Sequence, residues 1–168
     1  MEVILIRHAD ALDAEPGGSD DQRPLSPDGI ERMQKGAEGL ANVLRENDPP
    51  PLNGILTSPK VRAMETAKIL ARVLNGNETV TTCAPLAEDF TWDDVLPFLK
   101  PFSPRARVAL VGHEPALGSL AGYFISGSNG TSVFLKKGSA ICFQIDPSGS
   151  LPAELLWFLT PKQMRMLR

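Results

Sequence analysis

The sequence contains few of the residues from which disulfide scaffolds, zinc sites and membrane spans are built. It has two cysteines, Cys83 and Cys142, far apart and outside any Cys-x-x-Cys spacing. This pattern disfavours a disulfide scaffold or a zinc finger and predicts a reducing, cytoplasmic location. No apolar run approaches the roughly 20 residues that cross a bilayer, and the first residues indicate a strand instead of a signal peptide. We therefore expect no membrane association.

An excess of charge of one sign is also missing. The chain of 168 residues carries 17 basic and 20 acidic side chains, a formal net charge of −3. This balance disfavours broad, non-specific binding to nucleic acid. A Walker-type glycine-rich loop is absent from the sequence, which excludes P-loop nucleotide hydrolysis. The length predicts one domain, 1–168, that buries roughly 69% of its surface on folding.

The apolar residues predict a layered fold. Three short apolar runs are each followed by a polar turn that leads towards a helical pattern: residues 3–6, 55–56 and 108–111. Continuous runs of this kind are typical of parallel strands buried on both faces. Residues 140–145 and 155–159 predict an antiparallel hairpin with a turn at 146–149. The pattern indicates an α/β three-layer αβα sandwich, with a mostly parallel central sheet and an antiparallel edge near the C-terminus.

Four helices are predicted, and two of them open on a Ser-Pro pair. Serine is a good N-cap and proline fits the first helical position, so we expect helices from Ser26-Pro27 and from Ser58-Pro59. The first should stop before Asn47. A third helix is expected from Pro115, and a short one over Trp92–Leu99.

Two segments, 11–25 and 126–138, show neither the helical nor the strand pattern of apolar residues. The second is rich in glycine, serine and asparagine. The first is predicted to be a mobile acidic loop, with carboxylates at Asp13, Glu15, Asp20 and Asp21.

Both histidines of the chain and two arginines follow the predicted parallel strands. Arg7-His8 ends the first strand, Arg62 lies one turn into the helix after the second, and His113 follows the run at 108–111. Ligands of open α/β sheets bind beyond the carboxyl ends of the strands. Two guanidiniums, two imidazoles and nearby helix N-termini make a cationic, donor-rich pocket that suits a phosphoryl group.

Other interpretations of these residues also fit the sequence. Each histidine could be an ordinary packed side chain, and Arg7 and Arg62 could pair with the acidic loop. A metal site is disfavoured, because two arginines would repel the cation and no third histidine or cysteine is close in sequence. Ser58 lacks the Gly-x-Ser-x-Gly elbow of a nucleophile, and we predict that it caps its helix.

Three segments together resemble the motifs of the histidine phosphatase superfamily, which has the phosphoglycerate-mutase-like fold. They are Arg7-His8-Ala9-Asp10-Ala11, residues 58–67 (Ser-Pro-Lys-Val-Arg-Ala-Met-Glu-Thr-Ala) and residues 111–115 (Val-Gly-His-Glu-Pro). Their order and spacing agree with the family pattern. Residues 23–29 (Arg-Pro-Leu-Ser-Pro-Asp-Gly) and the short length are similar to the SixA-type phosphohistidine phosphatases.

The resemblance implies a role for each residue of the pocket. His8 would be the nucleophile that forms a phosphohistidine intermediate, later hydrolysed by water. Its other ring nitrogen should donate to a backbone carbonyl. Arg7, Arg62 and His113 would bind the phosphoryl oxygens, so no metal or other cofactor is expected. Glu88, with Asp89 beside it, is a possible general acid; the alternative is an exposed loop carboxylate.

The implied function is removal of phosphate from phosphohistidine on a partner protein, in signal transduction. A basic leaving nitrogen would relax the need for a general acid, and a chain this short leaves the pocket open to a protein substrate. The alternatives are a small-molecule phosphomonoesterase or mutase, and a non-catalytic phosphoprotein-binding module. The acidic loop could repel small polyanions. The sequence does not specify the oligomeric state, and a monomer is plausible.

Overall fold

A single mixed sheet organises the chain. The computed structural model describes residues 1–45, 52–76, 79–146 and 150–168. The six strands are β1 (Glu2–Arg7), β2 (Leu52–Thr57), β3 (Thr81–Thr82), β4 (Arg107–Gly112), β5 (Ala140–Gln144) and β6 (Glu154–Leu159). Their order is β3-β2-β4-β1-β5-β6. Strands β1 to β4 are parallel to one another, whereas β5 runs antiparallel to β1 and β6.

Helices cover both faces of the sheet. They are α1 (Pro27–Arg45), α2 (Val61–Asn75), α3 (Trp92–Leu99), α4 (Ala116–Ser126) and α5 (Pro161–Met166). Along β1, Val3 and Leu5 face the apolar layer under α3 and α4. Ile4 and Ile6 face the layer under α1, α2 and α5. This alternation, with both sides fully buried, confirms the predicted αβα sandwich and its antiparallel edge.

The second helix begins later than predicted. The sequence places its cap at Ser58, but α2 starts at Val61 with Lys60 as the N-cap residue. The prediction that Ser58 caps this helix is therefore wrong, because the chain makes one further turn before it becomes helical. Strand β3 and helix α5 were not predicted, since elements of two and six residues carry little periodicity.

Two details of the prediction fall outside the described residues. These are the stop of the first helix before Asn47 and most of the hairpin turn, at 147–149. Within the described residues, no helix combines the length and the apolar character that a bilayer span requires.

Candidate active site

Neighbouring strands bring the predicted pocket residues to one edge of the sheet. Strands β2, β4 and β1 are adjacent, and the backbone of His8 continues the ladder by donating to the Gly112 carbonyl at 3.0 Å. The backbone of Ser58 donates to Val111 in the same way at 2.9 Å. The ring centroids of His8 and His113 are consequently 5.0 Å apart. The structure therefore brings both imidazoles together, as the sequence predicts.

One nitrogen of His8 has a fixed partner. Its Nδ1 lies 2.7 Å from the carbonyl oxygen of Ala9, and this oxygen can only accept a hydrogen bond. In the neutral ring the proton is therefore on Nδ1 and the lone pair is on Nε2. This geometry agrees with the prediction that the ring nitrogen of His8 that does not attack donates to a backbone carbonyl.

Burial keeps the His8 ring neutral. Only 6% of the residue is exposed, and burial lowers the pKa of its imidazole to about 4. The hydrogen bond to the Ala9 carbonyl opposes this shift, while the charges of Arg62 and Arg7 add to it. The same charges show that both guanidiniums lie within electrostatic reach of the ring.

His113 is held by the buried hydroxyl of Ser58. Its Nε2 lies 2.8 Å from Ser58 Oγ, and that hydroxyl also accepts a hydrogen bond from the backbone of Lys60 at 3.2 Å. Burial lowers the pKa of His113 to about 3, and the neighbouring His8 and Arg62 lower it further. Ser58 is thus a positioning residue for the second imidazole, which sequence reasoning missed because the contact spans 55 positions.

Arg62 is occupied by the acidic loop. Its Nη1 donates to the backbone oxygen of Asp20 at 2.6 Å, and its Nη2 donates to the Asp20 carboxylate at 2.9 Å. Only 7% of Arg62 is exposed. Hydrogen bonds from Arg23 and Arg62 lower the pKa of Asp20 to about 2. Pairing with the acidic loop, which the sequence left open, therefore occurs at Arg62, and it fixes this end of the loop.

Arg7 is fixed instead by the irregular segment at 126–138. Its Nη1 donates to the Leu135 carbonyl at 2.7 Å, and the Leu135 backbone donates to the Glu114 carboxylate at 3.0 Å. The segment crosses α4 so closely that a Cβ at Gly118 or Gly122 would collide with the backbone of the segment. The second irregular segment therefore forms part of the pocket wall.

Buried polar atoms without a protein partner gather at this site. Within the described residues, three buried side-chain atoms make no hydrogen bond: Arg7 Nε, His113 Nδ1 and Ser139 Oγ. Ser139 adjoins the site, since its carbonyl accepts from the Arg7 backbone at 3.1 Å. Leaving such a group unpaired costs about 1–3 kcal/mol. With the Ser58 hydroxyl donating to His113 Nε2, the proton of the neutral ring is on Nδ1. The arrangement can then accommodate an oxyanion that accepts from Arg7 Nε and His113 Nδ1.

Glu88 lies at the rim of the pocket. Its side chain is 81% exposed, and its carboxylate is 4.0 Å from Lys60 Nζ. The same ammonium is 3.1 Å from Asp21, and its charge acts on His113. Glu88 is therefore near the pocket but directed towards Lys60. Its role as a general acid stays a prediction.

Metal ligands are not gathered in this region. Across residues 1–45, 52–76, 79–146 and 150–168, no group of three or more His, Cys, Asp or Glu side chains is placed to hold one ion.

Comparison with solved structures gives close matches along nearly the whole chain. The protein histidine phosphatase SixA, complexed with tungstate, superposes with a TM-score of 0.77 at 25% identity, covering 96% of this chain and 98% of the other. The putative phosphohistidine phosphatase SixA from Agrobacterium tumefaciens gives 0.70 at 24% identity, with 95% and 98% coverage. A mycobacterial glucosyl-3-phosphoglycerate phosphatase with inorganic phosphate gives 0.68 at 17%, with 96% and 98% coverage.

Sequence comparison identifies the family. An uncharacterized protein from Picosynechococcus sp. is 34% identical over 143 residues, which cover 84% of this chain and 83% of that protein. The family model described as histidine phosphatase superfamily (branch 1) matches residues 3–94. With the SixA-like fold, these matches show that the chain belongs to the histidine phosphatase superfamily and is a phosphatase.

Proposed function

We propose that the protein is a metal-independent phosphohistidine phosphatase that acts on a partner protein through a phosphohistidine intermediate on His8. The observation that carries this proposal is the state of His8. Its ring is buried and neutral, its Nδ1 is committed to the Ala9 carbonyl, and its Nε2 therefore holds a lone pair. A neutral imidazole of this tautomer is the form that can attack phosphorus.

The proposed reaction has two displacements. In the first, the Nε2 lone pair of His8 forms a bond to phosphorus, and the bond from phosphorus to the substrate's imidazole nitrogen breaks in line with it. The electron pair of that bond returns to the leaving nitrogen, and the substrate imidazole departs as a neutral ring because its other nitrogen already carries a proton. In the second, the oxygen of water forms a bond to phosphorus, and the bond from phosphorus to His8 Nε2 breaks. Its electron pair returns to Nε2, and inorganic phosphate leaves with the hydroxyl group of the water, whose other proton is released to phosphate or solvent.

Arg7, Arg62 and His113 are proposed to bind the phosphoryl oxygens during both steps. Arginine has five N–H donors, and the Asp20 contacts engage one on each terminal nitrogen of Arg62. The remaining donors leave capacity for a phosphoryl group without release of Asp20. Removing one well-placed donor of this kind commonly costs about 3–4 kcal/mol in the barrier. Two permanent positive charges would take the role that a metal has in other phosphatases.

The choice of a phosphohistidine substrate is supported by chemistry and by likeness. A basic leaving nitrogen depends little on a general acid, and the Glu88 side chain is exposed, with its carboxylate 4.0 Å from Lys60 Nζ. A protein histidine phosphatase is among the solved structures that this chain resembles in fold, with a TM-score of 0.77. A small phosphomonoester or a mutase reaction would need a positioned acid, and a non-catalytic phosphoprotein-binding module would not need the attacking tautomer of His8.

The test compares turnover of a phosphohistidine peptide with turnover of sugar phosphates, each with and without a metal chelator. We expect higher kcat/KM for the peptide, and the chelator should have no effect. His8→Ala should lower phosphate release by roughly 10⁴-fold or more, while Lys68→Ala, an exposed change on α2, should not. Far-ultraviolet circular dichroism checks that both variants fold.

Trapping identifies the intermediate. Rapid quenching with labelled substrate should leave label on the protein that is stable in base and labile in acid, as a phosphoramidate is. A label with the opposite stability would indicate an acyl phosphate on a carboxylate and would contradict the role of His8. Preferential turnover of sugar phosphates would support the small-molecule alternative.

A further inference from the structure

We propose that a basic groove beside the pocket binds an acidic segment of the phosphoprotein substrate. The groove lies between α1, residues 134–138 and α5. This inference rests on the proposed function, because it assigns the part of the partner protein that lies next to the phosphorylated side chain.

The groove is large and continuous with the pocket. Its volume is about 590 Å³, and Arg7 belongs to both. Six cationic side chains line it: Arg7, Arg32, Lys136, Lys137, Lys162 and Arg165. Lys137 is near enough for its charge to act on His8. A segment bound in the groove would therefore leave its neighbouring phosphoryl group at the catalytic histidine.

Two of the six positive charges are paired with carboxylates, one of which, Asp10, also lines the groove. Lys137 pairs with Asp10 at 2.6 Å, and Arg32 pairs with Asp28 at 3.1 Å. In the described part of the chain, the other lysines of the groove and Arg165 form no salt bridge with a carboxylate. The result is a local positive surface on a chain whose formal net charge is −3. Such a contrast indicates a specific anionic partner instead of general affinity for polyanions.

The acidic loop borders the pocket where α2 begins, with Asp20 on Arg62 and Asp21 on Lys60. Asp13 and Glu15 of the same loop are exposed. These two carboxylates would repel an acidic segment, whereas the groove would attract it. Charges arranged in this way orient a partner and exclude the reversed pose.

An exposed aromatic side chain lies where pocket and groove meet. Phe134 is 70% exposed, and the Arg7 guanidinium lies over its ring at 5.8 Å from the centroid. Aromatic residues beside arginine are the usual anchors of protein interfaces. A protein segment uses both the apolar ring and the surrounding charge, and this favours an acidic peptide over a simple polyanion.

Binding of two labelled peptides tests the groove. Both carry a stable phosphohistidine analogue, one with acidic flanking residues and one with neutral ones, and fluorescence anisotropy gives each Kd. The unaltered protein should bind the acidic peptide about tenfold more tightly than the neutral one, and this preference should decrease as the salt concentration rises. The double variant Lys162→Glu/Arg165→Glu should abolish the preference. Lys68→Glu, an exposed charge reversal on α2 outside the groove, should retain it.

A second variant tests the groove without a substitution in α5. Lys136→Gln removes one groove charge from a loop, and it should reduce the acidic preference without affecting the helix. Equal affinities for the two peptides, or equal losses in the groove and Lys68 variants, would overturn the inference. Tighter binding of a single-stranded oligonucleotide, lost in the same groove variants, would overturn it too and indicate nucleic acid.

The proposed function is judged separately, by turnover of phosphohistidine. Acidic preference without such turnover would support the groove and refute the phosphohistidine assignment. Turnover of phosphohistidine without a preference for the acidic peptide would support the proposed function and refute the groove.

Discussion

Burial, more than hydrogen bonding, determines the protonation of the two imidazoles. For both rings the largest cause of the lowered pKa is removal from water. The charge of Arg62 adds to it at both rings, and the charge of Arg7 adds to it at His8. A buried cationic imidazole beside two arginines would lack solvation and meet like charge. The site therefore holds His8 in the neutral form that the proposed attack requires, and it does so through its surroundings, without a neighbouring base.

This state predicts the pH behaviour of the free protein. Because the pKa of His8 is about 4 and that of His113 about 3, neither ring should titrate between pH 8 and pH 5. The unfolded chain binds protons at a pKa near 6.5. The free energy of unfolding should therefore fall as the pH drops from about 6.5 towards 4.

Nuclear magnetic resonance can measure both imidazoles directly, since the chain has two histidines. Denaturant midpoints across the same pH range give the stability. A ring that titrates near pH 6.5 in the folded protein would contradict the burial argument. His8→Ala should simplify the spectrum and assign the remaining resonance to His113.

Ser58 offers a second test at the level of one side chain. Ser58→Ala leaves His113 Nε2 without its partner at 2.8 Å, so kcat/KM should fall roughly tenfold, about 1.4 kcal/mol. The resonances of His113 should move while those of His8 stay. Ser126→Ala is the matched control, because it removes a serine hydrogen bond of 2.9 Å at the end of α4. Unchanged His113 resonances would refute a positioning role.

At the level of elements, the acidic loop has two parts. Asp20 and Asp21 hold Arg62 and Lys60 at the start of α2. The Asp13 side chain, by contrast, is fully exposed and 3.9 Å from Arg23, and Glu15 is also exposed. The first pair fixes the loop to the rim, so only the second pair can be neutralised without disturbing Arg62.

Neutralising the exposed pair should favour small polyanionic substrates. Asp13→Asn/Glu15→Gln removes two exposed negative charges from the loop whose Asp20 contacts Arg62. The kcat/KM for a small bisphosphate should therefore rise roughly threefold at low ionic strength. Steady-state kinetics at about 0.5 M salt is the control, because screening there should remove the gain. A gain that persists at high salt would show that the loop acts by shape instead of charge.

At the scale of the whole molecule, one sheet joins two apolar layers. Cys83 lies in the layer under α3 and α4, and Cys142 lies in the layer under α1, α2 and α5. Both thiols are free and buried. Burial raises the pKa of Cys83 to about 11 and that of Cys142 to about 12. Neither should react while the layers remain packed, because the thiolate is the reactive form.

The thiols therefore test whether residues 1–168 unfold as one domain. Alkylation during pulses at increasing denaturant should label Cys83 and Cys142 with the same midpoint, since strands of one sheet support both layers. Mass spectrometry of the digested protein measures each site. Labelling of Cys83 at clearly lower denaturant would indicate that one layer opens alone.

Much of the fold and the placement of the candidate site residues could be predicted from sequence. The strands that form the middle of the sheet are continuous apolar runs, and Arg7, His8 and His113 follow them directly. Parallel strand ends meet at one edge, so local patterns were enough to bring the imidazoles together. The same local rules misplaced the start of α2. The hydroxyl of Ser58 contacts His113 instead of capping this helix.

The tertiary structure alone decided how each group is held and what surrounds the pocket. Arg62 meets Asp20 across 42 positions, and Arg7 meets Leu135 across 128. The basic groove combines α1, residues 134–138 and α5, the last of which was not predicted. Periodicity and capping report on neighbours within a turn or a strand. Contacts such as these depend on the path of irregular segments over the sheet, which only the packed chain defines.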